Sequence, residues 1–187
     1  PLAVTPLSTI SWGLETSVAS AAVAADAREA IGATEATEYR MDAGSVNSLA
    51  RGCDARCVRM FCNAAMLQNT VAIMQPFLSF ETAVSQPGWA SLTFAMADEL
   101  TASGTAFSLV DEPTLSSIMD NAYFLMLNGG ATIHPAEFQQ LRTNALAVLR
   151  TANAAIDGIA EQSRNGVLDA REVAEGVQKA FTVIGPT

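Results

Sequence analysis

The sequence predicts an all-α protein built as a helical bundle, and three observations lead to this fold class. Half of the 187 residues are hydrophobic, whereas only 6% are aromatic and 16% are charged. The apolar residues are mostly Ala, Val, Leu, Ile and Met, a composition that favours helix over sheet. Apolar positions also recur with helical spacing through most of the chain. A chain of this length can bury a core without disulfide bonds.

The first two helices are predicted in the N-terminal part of the chain. One covers about residues 8–31, because a Ser-Thr pair can cap its start and Gly32 can stop it. The second begins after the polar turn at 42–45 and runs to about Gln75, where Pro76 should end or kink it.

Two further helices follow the Pro-Gly turn at 87–88. Residues 90–103 form the third predicted helix, with Gly104 as its stop signal. The fourth opens at Asp111-Glu112-Pro113, because acidic residues suit the helix dipole and proline suits the first turn. It runs to about Leu127, before an Asn-Gly-Gly break.

The last two helices open at His134-Pro135 and at residue 170. The first of them runs toward Ile156, and the second covers 170–183 before a Gly-Pro pair. We therefore expect an N-terminal helical region, residues 1–110, joined to a C-terminal helical region, residues 111–187.

The chain has an almost uncharged central stretch, since Glu81 is the only charged residue between Arg59 and Asp98. Such a stretch is buried in the fold, in a partner or in a membrane. A spanning helix needs ~20 predominantly apolar residues, and several amides interrupt this one. We expect a buried bundle helix, with membrane contact through residues 57–80 as the alternative.

The charge and the cysteines limit the classes of function. A net charge of −9 speaks against non-specific binding to nucleic acid or to an anionic membrane, and suits a metal ion or a basic protein partner. Three closely spaced cysteines, Cys53, Cys57 and Cys62, do not form the framework of a secreted disulfide-rich protein. We expect buried free thiols; neighbouring arginines leave a redox or cofactor-contact role as the alternative.

Signs of catalysis are few. His134 is the only histidine and precedes a proline, so a role in a turn is expected. The sequence has no nucleophile motif, phosphate-binding loop or dinucleotide fingerprint. Adjacent carboxylates such as Asp98 and Glu99 are expected on solvated faces or at helix ends. The chain is therefore expected not to be an enzyme.

The most specific motif is the segment Glu161–Glu172. It has oxygen-bearing side chains at positions 1, 3, 5, 9 and 12, glycine at position 6 and an aliphatic residue at position 8. This spacing resembles the twelve-residue calcium loop of an EF-hand. The resemblance implies the metal ligands Glu161, Ser163, Asn165, the Val167 carbonyl, Asp169 and Glu172. Glu161 departs from the Asp usual at position 1.

EF-hands normally occur in pairs, and Met126–Glu137 fits the same frame in part. It has Ile133 at position 8 and Glu137 at position 12, but Met126 and Ala131 at positions 1 and 6. The resemblance, over about residues 114–184, implies a degenerate EF-hand pair with a short β contact between Ile133 and Leu168.

The functional expectation is a non-enzymatic structural or interaction subunit of a larger assembly, with calcium bound weakly or not at all. Two alternatives stay open. One is a calcium sensor or buffer that uses the 161–172 loop. The other is a component of a membrane or pigment complex that inserts segment 57–80.

Overall fold

The computed structural model describes residues 55–78, 88–104 and 107–182. In these ranges the chain forms five helices and no strand, and 85% of the residues are helical. The predicted all-α fold class is therefore confirmed for this part of the chain. The helices are α1 Ala55–Leu78, α2 Gly88–Ser103, α3 Glu112–Asn128, α4 Pro135–Arg164 and α5 Ala170–Thr182.

Local end signals explain most of these bounds. Asp111 caps α3, because its side chain accepts a hydrogen bond from the Thr114 N–H at 3.4 Å. Gly104, with φ +52°, follows the end of α2. Helix α1 ends at Leu78, two residues beyond Pro76. The predicted helix at 8–31 and the predicted start of the second helix lie outside the described residues.

Helix α4 differs most from its prediction. It has 30 residues and ends at Arg164, well beyond Ile156. The added turns are held by contact with α5, where the Ile159 side chain lies against Gly176. Helix α4 packs most extensively against α1 and also contacts α3 and α5, while α2 packs mainly against α3.

The core runs through all five helices. Leu67 of α1, Leu100 of α2, Ile118 of α3 and Ile156 of α4 are each fully buried, as is Val173 of α5. These residues belong to one cluster, which extends on both sides of residue 110. The packing of the described helices is therefore continuous across the predicted boundary between the two regions.

Helix α1, which contains part of the uncharged stretch, lies inside this bundle. From Val58 to Met74 most of its side chains are buried, which explains why charged residues are rare there. No helix in the described ranges combines the length and the apolar character needed to cross a bilayer. Helix α1 is a core helix of the bundle, as expected.

A buried polar contact links α1 to α4 and to the turn before α3. Asn153 has no exposed surface, and its amide donates to the Leu109 carbonyl at 2.8 Å. The Asn69 amide donates to the Asn153 carbonyl oxygen at 3.4 Å. Because buried polar groups need partners, this contact favours one register of α1 on α4.

Candidate functional site

The predicted calcium loop begins inside α4, because that helix continues to Arg164. The Val167 N–H donates to the Gln162 carbonyl at 2.9 Å, and the Gly166 N–H donates to the Ser163 carbonyl at 3.0 Å. Together these bonds form a Schellman motif. Its left-handed position is Gly166, with φ +72°. The glycine at position 6 therefore has the local role of ending α4.

The other end of the segment begins α5. The Asp169 Oδ1 atom accepts hydrogen bonds from the N–H groups of Arg171 and Glu172, both at 2.9 Å. In return, Glu172 Oε2 accepts from the Asp169 N–H at 2.9 Å. This reciprocal arrangement is a capping box. The carboxylates at positions 9 and 12 thus satisfy the free N–H groups at the start of α5.

The remaining predicted ligands lie around the end of α4. Glu161 forms an ion pair with Arg164 and accepts from the Asn165 amide at 3.2 Å. Ser163 is half-buried, and residues two apart on a helix point in widely different directions. Val167 is 66% exposed. Glu161 and Asn165 are therefore brought together, whereas Ser163 is not directed toward them.

Three of the predicted calcium ligands have partners within the chain. Within residues 55–78, 88–104 and 107–182, no three His, Cys, Asp or Glu side chains lie close enough to hold a metal ion. Glu161, Asp169 and Glu172 contact groups of their own chain instead. To bind calcium they would have to leave these contacts. Calcium binding stays a prediction.

The upstream segment has the same two kinds of helix end. The Ala131 N–H donates to the Met126 carbonyl at 2.9 Å, and Gly130, with φ +94°, is the left-handed residue. His134 then caps α4, because its Nδ1 accepts from the Ala136 N–H at 3.3 Å. The histidine was expected in a turn at a helix start; the structure places it at that helix start, as an N-cap with an extended backbone. The left-handed glycine occupies position 5 here but position 6 in the second segment.

The β contact expected between Ile133 and Leu168 is not formed. Neither residue is in a strand or an isolated bridge. The Ile133 carbonyl accepts from the Tyr123 hydroxyl at 3.5 Å, and the Tyr123 ring stacks on Phe138 with centroids 3.9 Å apart. The backbone groups of the two segments form helix caps instead, and the Ile133 carbonyl has its hydrogen-bond donor in α3.

The cysteines behave differently from one another. Cys62 is buried and free, as expected. Burial, reinforced by the charge of Asp157, raises the pKa of the Cys62 thiol to about 12, so it is protonated and a poor nucleophile near neutral pH. The expectation of a free thiol is wrong for Cys57, which is half-buried and disulfide-bonded. Cys53 lies outside the described residues.

An exposed apolar pair on α3 has no counterpart among the residues predicted from sequence. Ser117, Asp120, Phe124 and Leu127 have helical spacing, share the outer face of α3 and are all exposed. Phe124 is 60% exposed and Leu127 is 38% exposed. The signal that could have found them is their spacing of four and seven residues from the polar side chains Ser117 and Asp120 on the same helix. We call these four residues the α3 outer face.

Carboxylates border this face on its α2 side, and Arg142 borders it on its α4 side. Asp98 of α2 accepts from the Asn121 amide at 3.3 Å. Glu99 accepts from the Ser117 hydroxyl. On the other side, Asp120 receives two hydrogen bonds from Arg142 of α4, at 2.8 and 2.9 Å. Asp98 is thus exposed, as expected, whereas Glu99 is half-buried, and both carboxylates join α2 to α3.

Comparison with family models, with curated proteins and with solved structures finds no match for this chain.

Proposed function

We propose that this chain is a non-enzymatic structural or interaction subunit of a larger assembly, and that the α3 outer face contacts its partner. The observation that carries the proposal is the exposure of Phe124, at 60%. Other large apolar residues of α3, such as Leu115, Ile118 and Met119, are almost fully buried. Aromatic residues exposed beside polar neighbours are typical of protein interfaces.

The energetics support a role for this pair in binding. Full burial of a Phe or Leu side chain is worth about 1.5–3 kcal/mol relative to leaving it in water. Most of this is still available at Phe124 and part of it at Leu127. Because α3 is also held by contacts with α2 and α4, the side chains lie on a rigid element, so little ordering would be needed on binding.

The two helix–loop–helix segments have a structural role in this proposal. We regard 126–137 and 161–172 as a degenerate EF-hand-like module that connects α3 to α4 and α4 to α5. Its oxygen ligands serve helix ends and ion pairs, so calcium is bound weakly or not at all. The module presents the α3 outer face by holding α4 against α3 through Tyr123 and Phe138.

A site-specific photo-crosslinking experiment tests the proposed function. A photoreactive side chain is placed at position 124 of the full chain in the cells that produce it, and at position 148 as a control. Val148 of α4 is also exposed, at 43%, but does not belong to the α3 outer face. We expect one discrete covalent adduct from position 124 and none from position 148.

Equal labelling from both positions, or no adduct from position 124, would contradict the proposed function. Binding of an apolar dye to the purified chain gives a second test. The dye should bind to the wild type and lose this binding in Phe124→Ser, while Val148→Ser behaves as the wild type. A monomeric wild type that binds no dye would also count against the proposal.

A calcium sensor or buffer is the second candidate. One observation favours it: Gly166 adopts the left-handed turn at position 6, and the predicted ligands around it are largely exposed. Calorimetric titration of the wild type and Glu172→Gln with calcium tests this candidate. Calcium heat in the wild type that is lost in the variant would support a sensor; no heat in the wild type would exclude it.

A further inference from the structure

We infer that the α3 outer face binds a basic amphipathic helix of a partner protein. This inference rests on the proposed function and specifies the chemistry of the partner. Three features support it: the carboxylates beside Phe124 and Leu127, the length of α3, and the repulsion that these carboxylates exert on anionic partners.

Helices α2 and α3 contribute acidic residues and no basic residue to the surface around the face. From Met60 to Leu141 the sequence has no lysine or arginine and seven acidic residues. These are Glu81, Asp98, Glu99, Asp111, Glu112, Asp120 and Glu137. A partner segment that contacts α2 and α3 therefore meets carboxylates and no cation from these two helices.

The two carboxylates closest to the α2 side of the face have neutral partners. Asp98 accepts from the Asn121 amide, and Glu99 accepts from the hydroxyls of Ser103 and Ser117. Their charge is thus not neutralised by these contacts. Asp120, in contrast, is paired with Arg142. Lysine or arginine from a partner would find its best anionic sites along the α2 side.

The length of α3 allows a partner helix to lie along it. Helix α3 has 17 residues, which corresponds to about 26 Å. Phe124 and Leu127 are three residues apart near one end, so a partner helix can cover them with apolar residues spaced i, i+3 or i+4. A helix of about 15 residues would span the face. It would place its apolar side on this pair and its basic side beside Asp98 and Glu99.

The same charges disfavour the other candidate partners. Anionic membranes and nucleic acids are repelled by an acidic surface. A second copy of this chain would have to place one α3 outer face against another in a symmetric dimer. When the two α3 helices are antiparallel, that arrangement brings Asp98 and Glu99 of both copies together, which is unfavourable. The parallel arrangement is tested below by sedimentation velocity.

Peptide titration against the full chain tests the inference. The probe is a 15-residue amphipathic helix with Leu and Trp on one side and Lys on the other. The matched peptides replace every Lys with Glu, or scramble the same residues so that the apolar side is lost. Binding is measured by fluorescence anisotropy at 50 and 300 mM salt with the wild type, Phe124→Ser, Asp98→Asn/Glu99→Gln and Val148→Ser.

We expect the basic helix to bind at least about tenfold more tightly than the acidic and the scrambled peptides. Phe124→Ser should weaken binding of the basic helix by about tenfold or more, because an aromatic residue buried on binding contributes strongly to an interface. Asp98→Asn/Glu99→Gln should weaken it several-fold and reduce its salt dependence. Val148→Ser should bind as the wild type does.

Three outcomes would overturn the inference. One is equal affinity for the basic and acidic helices. The second is binding of the basic helix that Phe124→Ser leaves unchanged. The third is a dimer of the wild type, seen by sedimentation velocity, that Phe124→Ser dissociates. If crosslinking through position 124 succeeds while the basic peptide fails, the proposed function stands and the partner chemistry is wrong; failure of both removes the proposed function as well.

Discussion

Replacing Asp169 with alanine distinguishes a helix cap from a calcium ligand. In the structure Asp169 accepts two hydrogen bonds from the first turn of α5, at the N–H groups of Arg171 and Glu172. Alanine removes the acceptor of both bonds and leaves these N–H groups to water. If helix capping is the main role of the carboxylate, Asp169→Ala should lose stability even when calcium is absent.

The size of the loss follows from the capping interaction. Replacing a good N-cap residue with alanine costs about 1 kcal/mol, within a range of roughly 0.5–2 kcal/mol. Loosening of α5 also affects its buried contacts, because Val173 lies one turn after the cap. For a chain of this length, 1 kcal/mol corresponds to a decrease in Tm of about 2–4 °C.

The assay is urea unfolding followed by circular dichroism in a calcium chelator and, separately, in millimolar calcium. Asp169→Ser is the matched control, because serine removes the charge but keeps an oxygen that can cap the helix. We expect Asp169→Ala to lose about 1 kcal/mol in both conditions and Asp169→Ser to lose only a few tenths. Glu172→Gln should also stay close to the wild type in chelator, since its amide oxygen can still accept from the Asp169 N–H.

Two results would refute this reasoning. If Asp169→Ala is as stable as the wild type in chelator, the capping box does not contribute to stability. If the serine and alanine variants lose equally, and only when calcium is present, the carboxylate acts as a metal ligand and 161–172 is a calcium loop.

Three further predictions concern the core. A Cβ at Gly176 would lie 3.0 Å from the Cδ1 of Ile159, so in the wild type this close contact should offset the higher helix propensity of alanine and make Gly176→Ala nearly neutral. Valine lacks the Cδ1 atom, so in an Ile159→Val background Gly176→Ala should stabilise the protein by roughly 0.5–1 kcal/mol, measured by urea unfolding. A neutral effect in both backgrounds would contradict this. Asn153→Ala should cost about 2–4 kcal/mol and more than Asn69→Ala, because it leaves a buried carbonyl without its donor; equal losses would show that the carbonyl contact contributes little. Because the pKa of Cys62 is raised from 9.0 to about 12, the unfolded chain loses this proton first. The stabilisation by the neutral thiol is therefore fully present below pH 9 and is lost as pH rises toward 12. Over this range the free energy of unfolding of the wild type should fall relative to that of Cys62→Ala, by up to about 1.4 kcal/mol per pH unit. Parallel pH profiles of the two proteins would refute it.

Local signals predicted the helix ends well. Asp111 with Pro113 at the start of α3, and His134 with Pro135 at the start of α4, use hydrogen bonds within a few residues. Such bonds depend on the sequence nearby and little on the rest of the fold. The same signals also produced the spacing that resembles a calcium loop, since a helix end, a glycine and a capping box place oxygen atoms at similar intervals.

Other features could not be predicted because they depend on distant residues. The extension of α4 to Arg164 depends on α5, and the Asn69–Asn153 contact joins residues far apart in the sequence. The different burial of the two cysteines also depends on how α1 packs in the bundle. Cys62 is buried in the core, while Cys57 is only half-buried and disulfide-bonded.

By itself the sequence determined that the described chain is helical and where most of its helices begin and end, because composition and capping act over a few residues. Only the tertiary structure decided which side-chain oxygens accept hydrogen bonds from helix ends and which apolar side chains stay outside the core. Phe124 and Ile118 lie on the same helix, yet one is 60% exposed and the other is fully buried. The difference comes from the packing of α2 and α4 against α3, a long-range arrangement that local patterns do not encode.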